Sequence, residues 1–149
     1  MAGRTSPRMA TTQPDGPVLE ELSRAECLRL LATVPIGRIS YTRQALPAVD
    51  PVNFALYDGV IVIRTDVGGK LAAATRRTVV AFQADHLDLL LRSGWSVTVV
   101  GHCEEVTDAG DVARLDHLGL ESWAPGTRDH YIRIIPGIVT GRRLRRTQR

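Results

Sequence analysis

Apolar residues recur along this chain at two spacings. Short stretches repeat every three to four residues and longer stretches every two, which divides the chain into helices and strands. Cys27, Leu30 and Leu31 follow the helical spacing. Ahead of them, Ser23-Arg-Ala-Glu26 is a capping box: the serine hydroxyl can accept from the Glu26 N–H while the Glu26 side chain reaches back. Leu22 and Cys27 flank the cap as a hydrophobic staple. A short helix is expected from Arg24 to about Thr33, stopped by Pro35.

The spacing then changes to two. Gly37 to Tyr41 reads as a strand, Arg43 to Leu46 as a turn, and Pro47 to Phe54 as a second strand. Pro51 inside it can donate to no ladder, so it marks an edge or a bulge. Tyr57-Asp-Gly59 is a hairpin turn, and Val60 to Thr65 is a β-branched strand buried on both faces. A glycine turn at Asp66–Gly69 precedes a short Ala-rich helix, Lys70 to Arg76. Thr78 to Asp85 is a strand, and His86 to Arg92 a loop or short helix ending at Gly94. Trp95 to Val106 is a long strand with a bulge at Gly101. Asp108 caps a helix running to about Leu118, with Val112, Leu115 and Leu118 inward. After a loop at Ser122–Asp129, the strand Tyr131 to Thr140 is bulged by Pro136 and Gly137. About six strands joined mostly by hairpins predict an antiparallel sheet, and its frequent Gly and Pro breaks suit a small barrel.

Size and composition narrow the picture without changing it. A chain of 149 residues fits one domain and buries enough surface to need neither disulfides nor a structural metal. Cys27 and Cys103 lack CxxC spacing and read as reduced, buried thiols. The net charge of +3 is carried by the end of the chain: five arginines, Arg142, Arg143, Arg145, Arg146 and Arg149, lie in the last eight residues. Without interleaved aromatics or a recognition helix, this end predicts a solvated tail rather than a nucleic-acid surface. Residues 1–17 carry no apolar core of a signal peptide and are expected to form a disordered leader of a cytoplasmic protein. No apolar run reaches the roughly 18 residues of a membrane span. The expected division is leader 1–17, barrel 18–142 and basic tail 143–149.

The chemistry concentrates in Ile61-Val-Ile-Arg-Thr-Asp-Val-Gly-Gly-Lys70. A buried strand delivers Arg64 and Thr65 to its end, a glycine turn lets backbone approach a ligand, and Lys70, the only lysine, opens a helix. Guanidinium, hydroxyl and ammonium together suit a phosphate. A solvated turn with a surface lysine is the alternative on these residues alone.

The order of segments adds to this. Gly37-Arg-Ile-Ser, Pro47-Ala-Val-Asp-Pro-Val-Asn-Phe54, Asp58-Gly, Ile63-Arg-Thr and Gly69-Lys-Leu71 are followed by Val80-Ala-Phe-Gln-Ala-Asp85, Gly94-Trp-Ser-Val97, Gly101, Glu105-Val106 and Ile138-Val-Thr-Gly-Arg142. This series, from about Leu22 to Arg142, resembles the pyridoxamine 5′-phosphate oxidase-like, FMN-binding split-barrel family. The resemblance implies a mostly β fold with short helices, a six-stranded antiparallel split β-barrel, and a homodimer holding FMN in the groove between subunits. It implies that Arg64, Thr65 and Lys70 contact the flavin phosphate, that Pro51, Val52 and Asn53 lie along the isoalloxazine ring, and that Trp95 and Ser96 make further flavin contacts. Relatives that use the deazaflavin F420 or haem leave those cofactors as alternatives. True pyridoxamine phosphate oxidases are longer and end in an arginine–histidine substrate motif, whereas this chain ends Gly141-Arg-Arg-Leu-Arg-Arg-Thr147 with no histidine. Another small-molecule substrate is therefore expected. No catalytic acid or base is assigned.

Two functional classes follow, a flavin- or F420-dependent oxidoreductase and a non-catalytic flavin- or haem-binding module. His86, His102, His117 and His130 form no HExxH or HxH pair, so no metal site is expected. Trp123 reads as a loop anchor or as a cover for a ligand or a partner subunit.

Overall fold

The strands of the ring turn mostly apolar faces inward, and the fold closes those faces on one another. The computed structural model describes residues 16–65, 69–123 and 130–146. The elements are β1 (Pro17–Glu21), α1 (Arg24–Leu31), β2 (Ile36–Arg43), β3 (Leu46–Tyr57), β4 (Val60–Thr65), α2 (Lys70–Thr75), β5 (Thr78–Asp88), β6 (Ser93–Val106), α3 (Ala109–Asp116) and β7 (His130–Arg146). The sheet runs β1-β7-β4-β3-β2-β5-β6, and β6 pairs back to β7, closing a ring. All pairs are antiparallel. Six strands form the ring, as expected of a split barrel. The seventh, β1, adds to the outer half of β7 over Pro17–Glu21, so residue 17, read as the end of a leader, belongs to a strand. The expectations for residues 1–15, 66–68, 124–129 and 147–149 lie outside the described residues.

The strand β7 is the spine. Its first residues pair with β4, most of its length with β6, and its last five residues with β1. It therefore runs past the expected tail boundary at 142. Arg143 ion-pairs with Glu26 and Arg145 with Glu20, so these arginines are strand residues with partners. The bulge expected at Gly101 is a register shift between Val100 and Gly101. A Cβ on Gly101 would lie 2.0 Å from the Ile135 carbonyl oxygen, which explains the glycine.

The interior is filled by Ile39, Ile61, Ile63, Phe82, Val97, Val99, Ile132 and Ile134 with Leu30 and Leu31 of α1. Phe54 and Phe82 meet edge to face at 4.7 Å. A second cluster lies outside the ring, where α3 packs Leu115 against Val62, Val106 and Tyr131. The strand β4 feeds both clusters, as its unbroken apolar run predicts. Leu118, expected inward, is exposed because α3 stops at Asp116. The segment after Asp85 continues β5 to Asp88 and then turns, leaving Leu89 and Leu90 almost fully exposed.

Half of the capping box is present. The Ser23 hydroxyl accepts from the Glu26 N–H at 3.2 Å. The Glu26 carboxylate instead accepts from Arg29 and from Arg143 of β7, and so ties α1 to the barrel. Arg24 adds bonds to the Pro136 and Gly137 carbonyls. Arg29, then Arg143, lower the Glu26 pKa from 4.5 to about 2. A depressed carboxylate stabilises the fold above its unfolded pKa, and that contribution is lost as pH falls towards 2. Glu26→Gln should therefore lower the melting temperature at neutral pH, and the wild-type and variant melting curves should converge near pH 2. A constant offset at all pH values would contradict this.

Candidate functional site

Among the described residues the ring opens where β3 changes partner. In β3, residues Leu46 to Asn53 pair with β2, whereas Phe54 to Tyr57 pair with β4. The β3–β4 ladder stops at Phe54–Ile63, and Arg64 and Thr65 pair with β7 alone. Two of the expected site segments, Pro51-Val-Asn53 and Arg64-Thr65, thus form the two lips of one split. Pro51 sits there as an edge residue, as its missing N–H requires.

Alternation divides each lip between two faces. Val52 packs against the inner core, and Thr65 shares the inner face of Ile61 and Ile63. Asn53 and Arg64 point outward, where both hold the segment after α3. Arg64 Nη1 donates to the Leu120 carbonyl at 3.4 Å, and the Trp123 N–H donates to Asn53 Oδ1 at 2.9 Å. The segment Leu120–Trp123 is therefore strapped to both lips. The Arg64 guanidinium also lies 5.7 Å from the Tyr131 ring centroid, and the Tyr131 hydroxyl donates to Asp116 at 2.6 Å. Trp123 itself is 67% exposed, so its indole is no core anchor.

On the inner face, Thr65 is 2% exposed and its Oγ1 has no hydrogen-bond partner among the described residues. A buried hydroxyl left unpaired costs about 1–3 kcal/mol. Beyond it, α2 begins at Lys70 without a side-chain cap at Gly69. Lys70 is exposed and has no ion pair among the described residues.

Trp95 and Ser96 lie elsewhere on the ring. Trp95 faces inward with Val97 and Val99 and is 8% exposed. The period of two makes it a core residue and leaves Ser96 as the outward member of the pair. Ser96 joins a polar row across three strands: Arg38 Nη1 donates to Gln83 Oε1 at 3.4 Å and to Asp85 Oδ1 at 3.3 Å, and Gln83 Nε2 donates to Asp85 at 2.8 Å and to Ser96 Oγ at 3.4 Å. Arg38 is the cross-strand partner of Pro51, so the row runs from the split to a cleft of 400 Å³ lined by Ser96, Thr98, Thr140 and Arg142. Sequence reasoning assigned Arg38, Gln83 and Asp85 to no site. The available signal was that Arg38 and Ser40 in β2, Gln83 and Asp85 in β5, and Ser96 and Thr98 in β6 alternate with apolar residues.

Cys27 and Cys103 are both buried and free. Burial pushes both thiols upward, so neither is a nucleophile at neutral pH. Among the described residues no group of His, Cys, Asp and Glu could hold a metal ion, and no helix is long and apolar enough to cross a membrane.

At the end of β4 a buried hydroxyl has no partner among the described residues, and Lys70, which opens the next helix, has no ion pair among them. Those donors fit an anionic group such as a phosphate. The sequence model of the family described as pyridoxamine 5′-phosphate oxidase matches residues 23–143. An uncharacterized protein of Mycobacterium tuberculosis is 45% identical over 129 residues, covering 83% of this chain and 84% of its own. A Corynebacterium glutamicum structure assigned as a pyridoxamine 5′-phosphate oxidase is 33% identical, with a TM-score of 0.77 over 91% of this chain and 98% of its own. The structure of an FAD-binding protein from Mycobacterium smegmatis is 32% identical, with a TM-score of 0.67 over 86% of this chain and all of its own.

If Thr65 Oγ1 is kept for a ligand, Thr65→Val should raise the stability of the ligand-free protein by about 1 kcal/mol in chemical denaturation. A loss of stability would assign the hydroxyl a partner within the fold.

Proposed function

This chain belongs to the pyridoxamine 5′-phosphate oxidase family, and on that premise we propose that it is a flavin-dependent oxidoreductase that binds FMN between the subunits of a homodimer. The carrying observation is the strand end itself, where the buried Thr65 hydroxyl stands without a partner among the described residues ahead of Lys70, which opens α2. In this reading Thr65 and Lys70 hold the cofactor phosphate and Arg64 closes on it from the outer face. Pro51, Val52 and Asn53 line the ring along the open edge of β3, and Ser96 reaches the ligand from its own or the partner chain. Trp95 supports Ser96 from the core. The flavin, when bound, supplies hydride or electron transfer, and the protein supplies binding, orientation and access. In this reading the substrate is a small molecule other than pyridoxamine phosphate.

A second reading, FAD in place of FMN, is favoured by the related M. smegmatis protein described as FAD-binding. The visible spectrum of freshly purified protein separates the classes: two bands for a flavin, a single intermediate band for F420, a Soret band for haem. Mass spectrometry of the released cofactor then separates FMN from FAD. Lys70→Ala should weaken flavin binding about 10- to 100-fold, the worth of one charge-assisted contact. A protein that binds none of these cofactors on titration would overturn the proposal, and an unchanged dissociation constant would make Lys70 a surface lysine.

Support for the homodimer comes from the outer face. Val79 pairs across β6 with His102 and then Ile135, and Ala81 with Val100 and then Ile138. Val79, Ile135 and Ile138 are 59%, 43% and 64% exposed, an apolar patch of the kind that marks an interface. Light scattering should give twice the chain mass, and Ile138→Asp should give a monomer with weaker flavin binding. A wild-type monomer at micromolar concentration would refute the assembly.

A further inference from the structure

The cross-strand partner of Thr65 is His130. Partners in an antiparallel pair carry their side chains on the same face. Here that face is the inner one, because the next pairs along the ladder, Ile63–Ile132 and Ile61–Ile134, are core pairs. On the adjoining strand, Glu105 stands opposite Ile132. Its Oε1 lies 3.0 Å from His130 Nδ1, and its Oε2 accepts from Arg76 at 2.8 Å, just beyond the end of α2. The Glu105 side chain is only 15% exposed. The His130 contact, then Arg76, holds its carboxyl below the usual range despite its partial burial. Glu105 is therefore a fixed anion at neutral pH and accepts the Nδ1–H of His130, which sets the ring's orientation. Nε2 is then the remaining polar atom of the ring, and it has no partner among the described residues.

The charged groups that face this ring are Glu105 from β6 and, through it, Arg76 just beyond α2, while Arg64 lies on the opposite face of β4. The unpaired Thr65 hydroxyl shares the face of His130. We propose that His130 is a ligand-binding residue of this site, which when protonated donates from Nε2 to the phosphate group that Thr65 and Lys70 hold. This rests on the flavin reading above. It adds an imidazole to a site whose other donors are a hydroxyl, an ammonium and a guanidinium. The sign follows from the tautomer. With Nδ1–H given to Glu105, a protonated ring offers Nε2–H to the anion, and a neutral ring offers it a lone pair. Phosphate-dependent affinity is thus highest when His130 is charged and falls as pH rises. The second ionisation of a phosphate monoester, near pH 6, acts in the opposite direction by adding negative charge.

FMN and riboflavin, which lacks the phosphate, should be titrated into the full-length protein at about pH 6 and about pH 8. Flavin fluorescence quenching gives both affinities, and their ratio isolates the phosphate contact. In the wild type, the preference for FMN over riboflavin should fall about tenfold between the two conditions. In His130→Gln it should stay level or rise, with an unchanged far-UV circular dichroism spectrum as the check on folding. Should that variant fail to fold, the wild-type imidazole resonance of His130 serves instead: FMN should raise its titration midpoint and riboflavin should not. A wild-type preference that is flat or rises with pH, a His130→Gln profile identical to the wild type, or an unmoved imidazole midpoint would each overturn the role of His130 while leaving the flavin reading standing. Binding of neither flavin at either pH would remove the flavin reading and this inference together.

Discussion

The opening in the ring depends on a change of partner within one strand. As far as Asn53, β3 belongs to β2, and from Phe54 it belongs to β4. Pro51 has no N–H to donate on either side, and beyond the Phe54–Ile63 pair β3 no longer pairs with β4. Everything specific to the site follows from that gap. It leaves Arg64 and Thr65 paired on one side only, exposes an edge of β3, and gives the chain after α3 two lips to span.

The barrel can leave this seam open because its cohesion lies elsewhere. The strand β7 is paired along most of its length with β6, and also with β4 and β1. Apolar side chains fill both the interior and the outer face beneath α3. β4 contributes to both clusters, so the strand that forms one lip is held from both faces up to Arg64. Polar groups at its end therefore sit on a rigid support, which is what a preorganised binding site needs.

Local chemistry made much of this legible in the sequence. Ser23 and Asp108 cap their helices where the Ser and Asp signals place them, and the unbroken apolar run of β4 marks burial on both faces. What escaped depended on long-range pairing. Trp95 and Ser96 are neighbours in sequence, but the pleat sends one to the core and the other to the surface, and the register alone decides which. The Arg142–Arg146 run looks like a solvated tail until β1 and Glu26 are placed beside it. The Arg38–Gln83–Asp85–Ser96 row draws on three strands, and His130 meets Thr65 only through the β4–β7 register. The lips of the split were legible as separate segments, but not as one place.

The Leu120–Trp123 strap has a thermodynamic side. Its two anchors, Arg64 and Asn53, are also residues of the proposed flavin site. Any guest that recruits either side chain competes with the protein's own backbone, so ligand affinity and local order around Trp123 become reciprocal quantities. A change that loosens the strap, even one remote from the split, would tighten binding, and a change that stiffens it would weaken binding. The backbone amide of Trp123, donating into a side chain of the opposite lip, is placed to register occupancy of the gap by its rate of hydrogen exchange.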